Sequence, residues 1–231
     1  RLTRWSKWLM DGVGDDSLVL ALLAPLLRPF GLSDARSIWE RLNNNTVILE
    51  EARELVSWLL SRPGLIRTPP YPGNTLLVPH ARYTRDEILC LTGEWDWEKQ
   101  PAFREGVRYL KDKGLDLFLA TIQKNEKHYS PTTLYEDYAI SDERFHWQSQ
   151  STTSDTSTTG HRYINHKSLG TTPLLFVRSV AKVANYAQPY YYLGSLEYEH
   201  HEGSRPLSIT WKLDQRMPAR LVRKFQTLAA A

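Results

Sequence analysis

Cysteine occurs once in these 231 residues, at Cys90. An internal disulfide is therefore excluded, as is a metal site built on several thiolates, and a reducing cytoplasm is the expected location. No apolar run approaches the roughly 20 residues of a membrane-spanning helix, so no membrane partner is expected. The phosphate-cradling pattern G-x-x-x-x-G-K-S/T is missing, and so are the dinucleotide pattern G-x-G-x-x-G and the nucleophile elbow G-x-S-x-G. The histidines, at 80, 128, 146, 161, 166, 200 and 201, include no pair at the i, i+4 spacing of a zinc protease helix. His200-His201-Glu202 reads as strand, where adjacent side chains point to opposite faces and do not readily share an ion. No cofactor and no metal are expected. A nuclease built on Asp…Glu-x-Lys needs a spacer that Glu126-Lys127 lacks, so those two and Asp116 read as surface charge. The segment itself is expected not to be an enzyme.

What is present is a globular composition, 41% hydrophobic and 24% charged, which argues against disorder. The formal charge of +3 is too mild by itself to argue nucleic acid, but it is unevenly spread. Residues 1–63 are net 0, residues 64–150 net −2 and residues 151–231 net +5. A local basic face is a better sign of nucleic acid than a total; the plainer reading is solvated lysines and arginines. The chain opens on Arg1 rather than Met, and we read it as a segment of a longer polypeptide.

The periodicity predicts an α+β protein with two domains, 1–66 and 67–231. In the first, Asp15-Asp16-Ser17 starts a helix over Leu18–Leu27, Ser33 caps a second through Leu42, and Ala52, Leu55, Val56, Leu59 and Leu60 mark one face of a third. Three helices followed by a Pro/Gly-rich connector have the order of a winged-helix-like unit. Glu50, Glu51 and Glu54 on the third would repel phosphate, so packing or linkage is the favoured role. Thr84 with Glu87 is a capping box for a short helix ending at Gly93. Beyond it, Leu115–Ile122, Phe145–Gln150, Arg162–Asn165, Leu174–Arg178, Tyr190–Tyr198 and Leu207–Leu213 read as strands. So many short strands predict a strongly bent β-sheet or a β-barrel, with an SRA-, PUA- or B3-like pseudo-barrel as one form. Residues 151–160, STTSDTSTTG, read as a flexible polar loop.

A dense polar-aromatic stretch supplies the candidate site. Tyr129, Ser130, Thr132, Tyr135, Asp137 and Tyr138 precede Trp147, Gln148, Ser149 and Gln150. Aromatic rings stack on a base, and Asp and Gln side chains read its edge. Asp137 is a candidate acceptor for the exocyclic amine of cytosine, as in flipped-base pockets. Against this, Trp147 and Phe145 also suit a core. Strand alternation would put Phe145, Trp147 and Ser149 on one face and His146, Gln148 and Gln150 on the other, so one face packs and the other reads. Arg162, Lys167, Arg178 and Arg205 are the candidate phosphate ligands. Arg178 either meets a phosphate, pairs with Asp137 or lies on the surface.

The series Tyr-Ser-Pro-Thr-Thr-Leu-Tyr-Glu-Asp-Tyr-Ala-Ile-Ser at 129–141, Phe-His-Trp-Gln-Ser-Gln-Ser at 145–151, Leu-Phe-Val-Arg at 175–178, Tyr-Leu-Gly at 192–194 and Glu-Gly-Ser-Arg-Pro-Leu-Ser-Ile-Thr-Trp-Lys-Leu at 202–213 resembles a known family. This is the C-terminal domain of unknown function that follows a superfamily-2 helicase, often with an N-terminal phospholipase-D-type nuclease. The setting is bacterial ATP-dependent, modification-dependent (type IV) restriction enzymes. The resemblance covers roughly residues 80–215. It implies that ATPase and nuclease chemistry lie elsewhere in the longer polypeptide. His166-Lys167 lack the spacer of a phospholipase-D His-x-Lys motif. The expected function is target recognition: binding double-stranded DNA that carries a 5-methyl or 5-hydroxymethyl cytosine, by base flipping in one form of the idea. The expected partners are that DNA and the helicase and nuclease domains. The alternative is a scaffold domain that docks on the helicase or mediates oligomerisation, for which Trp5 and Trp8 would serve.

Overall fold

Thirteen residues, Tyr190–Glu202, form the longest strand among the described residues and tie the sheet together. The computed structural model describes residues 40–41, 43–61, 77–94, 106–123 and 137–227. The expected helix at 18–27, the one at 33–42 apart from Glu40 and Arg41, Trp5 and Trp8, and the side chains of Ala52, Leu55, Val56, Leu59 and Leu60 lie outside that set, and so the three-helix bundle does too. The described residues fall in two compact units. One contains α1 (Thr46–Ser61) and α2 (Arg85–Leu91). The other contains Pro79–Thr84 and every described residue from Gly106 onward.

In the first unit, α2 starts directly after Thr84, carries Asp86 and Glu87 in its first turn, and buries Ile88, Leu89, Cys90 and Leu91. It ends on Gly93, whose φ of 72° is left-handed. There Gly93 N–H donates to the Cys90 carbonyl (3.1 Å) and Glu94 N–H to that of Leu89 (2.8 Å). This pair of bonds closes a helix on glycine and satisfies its last carbonyls.

The second unit is an open, mixed sheet of eight strands. In chain order these are β1 (Arg82–Tyr83), β2 (Val107–Leu110), β3 (Leu115–Thr121), β4 (Tyr138–Ala139), β5 (Arg144–Gln148), β6 (Thr172–Arg178), β9 (Tyr190–Glu202) and β10 (Ser208–Leu213). The separate pair β7 (Lys182–Val183) and β8 (Tyr186–Ala187) forms a hairpin. The spatial order is β2-β3-β6-β9-β10-β5-β4, with β1 on β9. The β3–β6 pair is parallel and all other pairs are antiparallel. The central strands β3 and β6 are buried almost throughout, as a parallel pair covered on both faces must be; this is why they read as continuous apolar runs.

Among the described residues the expected barrel does not close: the ladder stops at β2 on one side and β4 on the other. Two irregularities interrupt β9. Its first half pairs with β6 and its second with β10. Within the first ladder the register slips at Leu193, where Tyr192 and Gly194 face Phe176 and Leu175, and within the second at Glu199, where Tyr198 and His200 face Trp211 and Thr210. Such bulges bend the strand that carries the extra residue.

A second correction concerns 151–165. The expected strand at 162–165 is helix, α3 (Thr158–Ile164). Ser157 caps it: its Oγ accepts from Gly160 N–H (3.1 Å) and donates to the Ser154 carbonyl (2.6 Å). The polar run therefore ends as a helix start rather than a free loop. The last helix, α4 (Ala219–Thr227), buries Leu221 and Phe225 in the same core as Phe118, Trp147, Ile209 and Trp211. No helix among the described residues is long and apolar enough to cross a membrane.

Candidate nucleic-acid interface

Strand β5 divides its side chains as alternation requires. Phe145 and Trp147 are buried, and His146 and Gln148 are half-buried. Trp147 lies flat on Phe118, with ring centroids 4.3 Å apart and planes within 5°, and meets the edge of Tyr163 at 5.6 Å. The inner face is thus filled by protein aromatics. Ser149, also inward, is fully buried; its Oγ accepts from Leu207 N–H (2.8 Å) and its own N–H donates to the Leu207 carbonyl (2.9 Å). Asp137 is buried as well, and its Oδ1 accepts from Gln148 N–H (3.1 Å). That bond fixes the end of β4 to β5.

The outer face carries a polar-aromatic row. Tyr138 stacks on His146, centroids 4.6 Å apart, because the two are register partners. Gln148 Nε2 donates to Ser208 Oγ (3.2 Å) across the β5–β10 ladder. Thr210 sits opposite His146 and also opposite His200 of β9; Lys212 sits opposite Arg144. Arg144 Nε donates to both carboxylate oxygens of Glu199 (3.1 and 2.8 Å), and that bonding holds Glu199 below its ordinary pKa. Gln150 is half-buried beyond the strand end, where its carbonyl accepts from Thr153 N–H (2.9 Å). Tyr129, Ser130, Thr132 and Tyr135 lie outside the described residues, as does Glu126-Lys127.

The four candidate phosphate ligands scatter. Arg162 forms a two-bond ion pair with buried Asp116 (both 2.9 Å) and lies 3.8 Å over the Tyr109 ring. Arg178 Nε donates to Thr121 Oγ1 (3.0 Å), Nη1 reaches the Gln188 carbonyl (3.4 Å), and the guanidinium covers Tyr190; it does not reach Asp137. Arg205 is exposed on the β9–β10 connection. Lys167 pairs with Glu197 at a cleft of about 410 Å³ lined by His166, Thr171, Ser195 and Asp214. In that cleft His166 is spoken for: Nδ1 faces the Thr171 carbonyl (3.2 Å) and Nε2 accepts from Tyr198 N–H (3.2 Å). Burial holds it neutral by pushing its pKa down. Among the described residues no three His, Cys, Asp or Glu side chains come together to hold a metal ion.

The cations that do reach solvent on one element are ones the site reading missed. On α4, Arg220, Arg223 and Lys224 are exposed and have no carboxylate partner among the described residues. The spacing of Leu221 and Phe225 at i, i+4, with cations between, is the signal that could have found them. Lys224 lies 5.2 Å from the centroid of Tyr191, and Arg82 lies 5.6 Å from the same ring. α4 packs beside β4, with Gln226 Nε2 donating to the Ile140 carbonyl (2.9 Å). A cationic helix therefore borders the strands that carry the polar row.

One family model spans the sheet together with α2. Residues 77–225 match the model described as "Domain of unknown function (DUF3427)". The chain belongs to the DUF3427 family. The matched span runs from just before β1 to the last turn of α4, so both the polar row and the cationic helix are inside the DUF3427 domain. No curated protein matches the chain.

Proposed function

We propose that this DUF3427 domain is a double-stranded DNA reader: the target-recognition module of a modification-dependent restriction system, selective for 5-methyl or 5-hydroxymethyl cytosine. The observation that carries the reading is the half-buried outer row Tyr138, His146, Gln148 and Ser208, bordered by Arg220, Arg223 and Lys224 of α4. Amide and hydroxyl groups on a strand face suit base edges, and an unpaired cationic helix suits phosphates. In this reading the segment has no catalysis of its own and works in the cytoplasm beside helicase and nuclease domains of a longer polypeptide. Trp147, Asp137 and Ser149 act as supports that hold the reading strand, since their own bonds and ring faces are used inside the protein.

The test is fluorescence anisotropy on one duplex in unmodified, 5-methyl and 5-hydroxymethyl forms at two salt concentrations. The modified forms should bind tighter. Replacing Arg220, Arg223 and Lys224 together by Gln should weaken all duplexes alike and flatten the log–log salt slope by about 3, near 0.9 per phosphate contact. Gln148→Ala should instead narrow the gap between modified and unmodified duplexes. Equal affinity for all three forms would remove the modification from the reading. An interaction role is a second reading for the helical unit, favoured by Val47, Ile48 and Trp58, each half or more exposed on α1.

A further inference from the structure

The β7–β8 hairpin stands apart from the main sheet and is exposed along its whole length. Its two-residue turn, Ala184-Asn185, has φ of 46° and 67°. Both values are left-handed, the condition for the tight hairpin turn whose twist matches its strands. Alanine avoids this region because of its Cβ, so the shape is imposed rather than drifted into. Val183 and Tyr186 flank the turn as register partners and share one face of the ribbon. They are 54% and 78% exposed. A two-pair ribbon is marginal in water by itself, yet this one has a firm base. Gln188 N–H donates to the Ala181 carbonyl (3.0 Å), and the half-buried Arg178 grips the Gln188 carbonyl and Thr121.

The stretch of sequence that holds this finger is free of acidic residues. From residue 156 to residue 196 the sequence has no Asp or Glu, while Lys182 stands on the ribbon itself. Only two residues separate Ala187 from the start of β9 at Tyr190, about 10 Å of extended chain. The finger base is therefore close to Tyr191, the ring that carries Arg82 and Lys224.

We propose that the β7–β8 hairpin is a finger that enters a DNA groove, with Tyr186 and Val183 wedged at a base step and Arg82 and Lys224 on the flanking phosphates. Two-stranded ribbons enter DNA grooves, and from the minor groove an apolar wedge can unstack a base step and kink the duplex. A tip with an aromatic and a β-branched side chain, with Lys182 on the ribbon and Arg82 and Lys224 on the nearby Tyr191 ring, matches both requirements. The inference rests on the reading that this domain binds duplex DNA, and it names a contact that the polar row does not supply.

The experiment uses the full chain and a duplex with 2-aminopurine at successive positions. Binding of the unaltered protein should brighten the probe at one step, the sign of unstacking. Tyr186→Ala should lose roughly tenfold in affinity, the scale of one stacked ring, together with the brightening. Tyr186→Phe should keep both, and Val183→Ser should reduce the brightening. Circular dichroism should be unchanged in all three, since the side chains are exposed. If the unaltered protein binds but the probe stays dark, or if Tyr186→Ala matches it in both readouts, the finger is overturned while DNA binding stands. If the unaltered protein binds no duplex, both fall.

Discussion

Arg162→Ala is expected to lower the stability of the sheet unit by about 3–5 kcal/mol, the usual result of removing one partner of a buried ion pair. Asp116 lies on β3 and is 2% exposed, with Arg162 of α3 as its two-bond partner at 2.9 Å on each oxygen. Removal of the guanidinium leaves a carboxylate in the interior without its counter-charge. It also strips the Tyr109 ring of the cation 3.8 Å above it. Urea unfolding at neutral pH should show the loss. The same transition followed against pH tests the cause. Burial already raises the Asp116 pKa above the ordinary 3.8, and the bonds from Arg162 offset this only in part. An acid whose folded value is above its unfolded value takes up a proton on folding, so stability falls as pH rises between the two. Without Arg162 the folded value moves further up. The deficit of the variant should therefore be smallest near pH 4 and widen with rising pH. Replacing both residues by leucine should recover most of the loss, because an apolar pair carries no desolvation cost.

Gly160→Ala is the second large effect, and its sign is opposite to the usual one. In a helix interior this change normally stabilises by about 1 kcal/mol. Here an added Cβ would stand 1.9 Å from the Ser154 carbonyl oxygen and 3.1 Å from Leu207 Cδ1. The first neighbour is backbone and cannot rotate away. It belongs to the turn in which Ser157 Oγ donates to Ser154 and accepts from Gly160. Relief of the clash must break the cap of α3 and shift the helix that carries Arg162. We expect a loss of about 3 kcal/mol, the upper end of overpacking costs, measured as a drop in thermal midpoint. A neutral or stabilising result would mean that the turn yields easily.

The sequence made the strands legible where burial follows a simple rule. β3 and β6 are apolar on both faces and β5 alternates, so each was readable with its facing. The start of α3 was not, because its stop and start signals are Ser and Thr in a run that also looks like a loop; only the bonds of Ser157 decide it. The candidate site divides in the same way. The inward-outward split of Phe145, His146, Trp147 and Gln148 could be read from alternation. That Arg162 is taken by a carboxylate 46 residues away could not, since a cation in sequence looks the same whether its partner is a phosphate or a buried aspartate. The cations of α4 were legible in principle from their spacing, but total charge by thirds blurred them. The hairpin has no plain sequence signature, because Ala184-Asn185 lacks the glycine that usually marks such a turn.

The two extra residues of β9 impose a parity rule on the sheet. Ahead of Leu193 the core-facing member is odd-numbered, Tyr191; between the two irregularities it is even-numbered, Leu196 and Tyr198; past Glu199 it is odd again, at His201 opposite Ile209. Each extra residue inverts the facing of everything beyond it, and two inversions cancel. The end that carries the cations and the end that borders the polar row thus keep the same facing. A chain that gained or lost one residue between them would turn one end inside out, while a compensated pair of changes would leave both ends intact.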